Sequence, residues 1–182
     1  MISHKTRPLT TAEITALPSG LVAAVAVNQV RLVAAHHWVS WLARLVGRGA
    51  QIVVRGQRVH WPSLPADMSD NAVAMSLLAH ELVHVWQYAN GMTLWRYILR
   101  ERGQYHYRID GRDYVDYGYE QQAAMMEDWM RLQAGLAPRY GKVDIPALEA
   151  ILPFGSKKPH HHAFQARSPS PTSRGGTRKP DG

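Results

Sequence analysis

His80-Glu81-Leu82-Val83-His84 sets two imidazoles four residues apart, with a carboxylate beside the first. On a helix, residues four apart share one face, one turn above the other. Two rings so placed can reach a single ion at the ~2.0–2.1 Å typical of zinc. Glu81 leans toward the same place and can take a proton from water activated by that metal. Val73, Leu77, Leu78, Leu82, Val83, Val85 and Trp86 surround the three polar residues. Polar groups buried among such neighbours need partners, because an unpaired buried charge is costly. One Zn2+ ion would serve all three. The chain has no cysteine, so it has neither a disulfide framework nor a Cys-type zinc finger, and any metal must be held by His, Asp or Glu.

A catalytic zinc keeps three protein ligands and a fourth position for water. The extended pattern H-E-x-x-H-x-x-G-x-x-H fails here, since Gln87 and Gly91 stand where its Gly and last His would be. The third ligand therefore comes from farther along. Glu120 is the first choice: it opens a later helical stretch whose Ala123 and Ala124 share its face and would admit a second helix closely. Glu127, seven residues on, returns to that face and can accept from the second nitrogen of a ligand histidine, which fixes ring orientation. Asp116 is the second choice for the ligand, with Asp113 close by, and His106 the third. The zinc-protease context G-T-x-D-x-x-Y-G is absent, because Tyr114 stands three residues before Tyr117. Hydrolysis also needs a donor to the developing oxyanion. Tyr105, His106, Tyr107, Tyr114, Tyr117 and Tyr119 crowd the approach to Glu120 and supply candidates.

The elements that must position these groups read as follows. Thr10 and Thr11 before AEITAL predict a short capped helix that stops near Pro18-Ser19-Gly20. Val30 to Val33 reads as a strand. Residues 34–46 read as an amphipathic helix or buried connector. Two β-branched runs around Arg55-Gly56-Gln57 predict a hairpin over 51–61. Asp70-Asn71 and Asn90-Gly91 bracket a helix over 72–89. A short helix is expected over 93–102 and a loop or short strand over 104–119. A long helix follows over 119–135, then a helical turn or two after Asp144.

The net charge of +7 is uneven. From Gly155 onward six Lys/Arg face one acid, so the tail carries +5 and the rest only +2. The tail is rich in Pro, Ser and Gly and reads as a disordered basic segment, 155–182, after a folded domain, 1–154. With no aromatic-basic motif beside it, that charge does not mark a nucleic-acid face. His160-His161-His162 within it can bind transition metals weakly and is not the active site. The apolar run from Gly20 is cut by Asn28, Gln29 and Arg31, well short of the ~20 residues of a membrane span. The first residues lack the apolar core of a signal peptide. The chain therefore reads as cytoplasmic, or as exported by a specialised secretion apparatus.

Arg7-Pro8-Leu9-Thr10, Val30-Arg31-Leu32, HELVHVWQ and YGYEQQA together resemble the zincin-like metallopeptidase domain associated with bacterial extracellular contractile injection systems. The likeness is closer still to the Vgr-related proteins of alphaproteobacteria and spans about Arg7 to Leu136. His80, Glu81, His84, Trp86, Gln87 and the YGxEQQA stretch are its specific parts. The resemblance implies an α+β, zincin-like fold in which a small sheet or hairpin packs on the HExxH helix and a second helix carries a Glu ligand. It implies His80, His84 and Glu120 as ligands and Glu81 as general base. The apolar, Trp-rich stretch between Val33 and Gln51 departs from the family's shorter, more polar connection. Two functional expectations follow. One is a zinc metallopeptidase acting on peptide or protein substrates. The other is a catalytically silent scaffold or adaptor of a secretion or contractile injection machine, docked through its basic tail.

Overall fold

The computed structural model describes residues 6–35, 52–93 and 104–154. The fold is α+β: among the described residues, five α-helices and a four-stranded sheet. The segments expected over 34–46 and 93–102 lie almost wholly outside them, as does the tail over 155–182.

The sheet is built from β1 (Thr6–Arg7), β2 (Arg31–Val33), β3 (Val53–Arg55) and β4 (Arg58–His60), in the order β1-β2-β4-β3. β3 and β4 form the expected hairpin, with Val54 opposite Val59 and Gly56 in the left-handed region at a φ of 59°. A two-residue turn requires that conformation, and glycine supplies it without a steric penalty. β2 pairs parallel to β4, with Leu32 opposite Val59, and antiparallel to β1. Leu32 and Val59 are fully buried, so this short sheet turns one apolar row inward.

α1 (Thr11–Ala16) begins at the expected cap: the Glu13 amide donates to Thr10 Oγ1, and the Thr10 amide donates back to the Glu13 carboxylate. That carboxylate is fully buried. It also takes both Arg7 guanidinium nitrogens, at 2.7 and 2.8 Å, and the Met68 amide at 3.0 Å. One acid thus joins β1, α1 and the segment leading into the histidine-bearing helix. Pro18-Ser19-Gly20 does not simply end α1. It starts a second helix, α2 (Ser19–Val25), with Pro18 at its cap. Proline is at home there because the first amides of a helix have no partner within it. Gly20 is held against the chain's far side, since a Cβ on it would lie 2.5 Å from the Phe154 carbonyl oxygen.

α3 (Ala72–Ala89) is capped by Asn71, whose side chain accepts from the Ala74 amide, and ends at Asn90 and Gly91. Its residues from Leu78 to Val85 are buried without a break. α4 (Tyr119–Gln133) is the main partner of α3, which also touches α2 and β3. Ala123 and Ala124 of α4 are fully buried. α5 (Ile145–Ile151), capped by Asp144, closes the end of α4 with Leu148.

Glu13→Ala breaks the capping box, leaves the Met68 amide without its acceptor and deprives Arg7 of its counter-charge, its carbonyl partners Pro8 and Pro65 remaining. It should lower stability by about 3 kcal/mol, read as a drop in the urea midpoint at unchanged slope.

Candidate metal centre

The buried middle of α3 aims His80 and His84 at the first turn of α4. Glu120 Oε2 lies 3.2 Å from His80 Nε2 and 3.3 Å from His84 Nε2. The three side chains, all buried, bring their ligand atoms within 4.8 Å of one another and form a group that could hold a metal ion. The rings themselves sit edge to face, centroids 5.0 Å apart. Helical spacing accounts for the histidine pair. Ala123 and Ala124, on the face of α4 that carries Glu120, are small and fully buried.

The other ring nitrogens are also engaged. His84 Nδ1 faces Gln87 Oε1 at 2.8 Å. His80 Nδ1 lies 3.1 Å from Glu127 Oε2, although the two are not aligned as a good hydrogen bond. Arg139 reaches the other oxygen of Glu127 at 3.3 Å.

Burial opposes charge on His80, but the carboxylates of Glu120 and Glu127, with Glu81 behind them, outweigh it and raise the ring to about 10. His84 is raised the same way, burial being overcome chiefly by Glu120. Glu120 feels the converse: its burial is outweighed by His84 and His80, which hold it far below the usual carboxylate range. Glu81 behaves differently. Burial dominates and pushes it up, only partly offset by the two histidines. Of the two glutamates, Glu81 therefore holds a proton the more readily.

The tyrosine-rich approach divides clearly. The Tyr117 hydroxyl donates to Asp110 at 2.8 Å, and Tyr114 OH donates to the Gln122 carbonyl at 2.9 Å. Tyr107 OH donates to Asp128 at 2.9 Å. Tyr119 is half-buried and offers its carbonyl to Gln87. His106 is exposed, its Nδ1 3.0 Å from the Tyr140 carbonyl, and Asp113 and Asp116 are exposed and stand outside the histidine cluster. Tyr105 is the aromatic of this group that meets the site. Its ring centroid is 6.0 Å from that of His80 and stacks 5.4 Å from Tyr140. Burial, then the charges of Glu120 and Glu81, push its hydroxyl well above the normal phenol range, so it stays a donor.

Three residues that hold this arrangement are not legible as part of the site from their chemistry: Gln87 and Gln122, which stand within the motifs of the resemblance, and Asp128. Asp128, fully buried, accepts from Tyr107 and from the amides of Arg139, Tyr140 and Gly141. It pins the loop after α4, and so Tyr140, against Tyr105. Gln87 lies three residues beyond His84, a spacing that places it beside that ring. Apart from the resemblance, that spacing was the one signal available.

Fold and site define a small α+β protein with a buried His-His-Glu cluster that could hold a metal. No protein-family model and no curated protein matches the sequence. Among solved structures, the effector domain of Pseudomonas aeruginosa VgrG2b matches with a TM-score of 0.56 at 23% identity, over 79% of this chain and 80% of that one. At that identity the likeness is one of fold.

Asp128→Ala should free the 139–141 loop and cost about 3 kcal/mol, because four donors lose one buried acceptor. The thermal midpoint would fall, and amide exchange would quicken at Arg139, Tyr140 and Gly141.

Proposed function

We propose that this chain is a zinc metallopeptidase of the zincin kind and serves as an effector of a secretion or contractile injection apparatus. The convergence of His80 Nε2, His84 Nε2 and Glu120 Oε2 carries the reading. Ligand atoms on a tetrahedral zinc with bonds of ~2.0–2.1 Å stand about 3.4 Å apart. The two separations of 3.2 and 3.3 Å found here match that spacing before any adjustment. Two imidazoles and a carboxylate, with no thiolate, also suit a catalytic zinc. The fold shared with the VgrG2b effector domain supports the link to an injection apparatus.

A zinc ion held by His80, His84 and Glu120 would supply Lewis acidity and lower the pKa of its water to about 7. The chain's own residues do the rest. Glu81, its proton affinity raised by burial, takes the proton of the attacking water and passes it to the leaving amine. Tyr105, kept protonated beside Glu120, donates to the oxyanion as the peptide carbonyl becomes tetrahedral. Glu127 steadies His80 from behind. We assign these roles to residues 1–154 and docking or delivery to the basic segment 155–182. The catalytically silent adaptor is the second reading, favoured by how deeply Glu81 lies, at 8% exposure.

Metal analysis of the full chain carrying His160→Ala, His161→Ala and His162→Ala should find about one zinc per molecule, as three protein ligands require. His84→Ala in the same background should lose it. Glu81→Gln should keep the metal and lose cleavage of a disordered reporter protein by about 10²–10⁴-fold. Zinc retained by a wild-type chain that cleaves nothing in a broad peptide screen would instead establish the adaptor. Tyr105→Phe should lower kcat by about 10²–10³-fold with KM little changed.

A further inference from the structure

The amides behind His84 form a directed chain. Gln122 Nε2 donates to the Tyr117 carbonyl at 2.8 Å and lies 3.4 Å from that of Val115. Those atoms are backbone oxygens and can only accept, so the Gln122 amide cannot turn over without setting its oxygen against them. Gln122 Oε1 is therefore the end that faces Gln87, and it accepts from Gln87 Nε2 at 2.9 Å. Gln87 Nε2 also donates to the Tyr119 carbonyl at 2.9 Å. The orientation of Gln87 is thus fixed twice, and its Oε1 is the atom turned to His84 Nδ1, 2.8 Å away. An oxygen there requires a proton on Nδ1. The neutral ring then carries its lone pair on Nε2, the nitrogen that faces Glu120.

We propose that Gln87 is a positioning residue which, through Gln122 and the Tyr117 carbonyl, sets the His84 tautomer and selects Nε2 as its metal-binding atom. The inference rests on the metal-site reading above and adds to it. The relay also ties the ligand on α3 to the turn of chain that delivers the ligand on α4. Tyr117, Tyr119 and Gln122 bracket Glu120 in sequence, so a shift of α4 that displaced Glu120 would strain the His84 contact as well. Behind His80 the arrangement differs: Glu127 Oε2 lies 3.1 Å from Nδ1 without hydrogen-bond alignment, whereas the Gln87 side is anchored to backbone carbonyls.

The test uses the full chain with His160→Ala, His161→Ala and His162→Ala, titrated with zinc against a chromophoric chelator. Ring nitrogen-15 shifts of His84 in the zinc-loaded protein should show the metal on Nε2 and a proton on Nδ1. Gln87→Leu, close in size, should weaken zinc binding about 10–100-fold while the circular dichroism spectrum is kept. Gln122→Leu should weaken it less, since the Tyr119 carbonyl still orients Gln87. Zinc carried on His84 Nδ1 would overturn the relay and leave the metal site standing. A folded Gln87→Leu that binds zinc as tightly as wild type would do the same. A wild-type chain that takes up no zinc would overturn both readings. If Gln87→Leu fails to fold, the nitrogen-15 assignment in the wild-type chain decides alone.

Discussion

The rest of this structure depends on how closely α3 and α4 can approach. Glu120 Oε2 must stand little more than 3 Å from both histidine Nε2 atoms, although Glu120 and His80 are 40 residues apart in the sequence. Ordinary interhelical distances of 8–10 Å are set by the side chains at the contact. Ala123 and Ala124, one turn beyond Glu120 and fully buried, keep that face of α4 small. A larger residue at either position would push the carboxylate away from both histidines at once. The price of so polar a contact in a core is that every group must be answered. Gln87, Gln122 and Asp128 are buried and hydrogen-bonded, and Glu127 takes Arg139 on one oxygen while the other only faces His80 Nδ1.

This dense polar layer is held from two sides. The first turn of α4 is fixed by backbone carbonyls through the two glutamines. Its middle is fixed by Glu127 and Asp128, which reach Arg139 and the 139–141 loop. Tyr105 gains its place from the same loop, through Tyr140. A network of this kind is strong when complete and weak when one member is lost. The apolar residues that flank it on α3, Leu78 and Leu82, are fully buried and add roughly 1.5–3 kcal/mol each.

What could be read from the sequence was local. The Thr10–Glu13 and Asn71 caps, the Gly56 turn and the His80/His84 spacing each depend on residues within a few positions of one another. Glu120 was also within reach, because the alanines on its helix face imply a close neighbour. β1 is two residues long and ends at a proline, so it has no periodicity to read. Pro18-Ser19-Gly20 reads as a stop in the sequence, although the same residues start α2. Breakers mark boundaries without saying on which side a helix lies. The roles of Gln87, Gln122 and Asp128 arise only where two distant stretches meet, and an amide or a carboxylate in a helix carries no sign of that. The tyrosines show the same limit. Their crowding was visible, but which hydroxyls are spent on Asp110, Gln122 and Asp128 depends on the folded chain.

The order of the strands has a consequence for how the molecule comes to fold. β4 lies between β3, its immediate neighbour in the chain, and β2, whose Arg31 pairs with Arg58. A hairpin closed by a two-residue turn forms in roughly microseconds, but alone it is marginal in water. The parallel partner must instead be brought back across a long stretch of chain, at an entropic cost that no turn chemistry offsets. The lasting stability of the hairpin therefore draws on β2 along its open edge and on α3 packed against β3, which couples the sheet to the histidine-bearing helix.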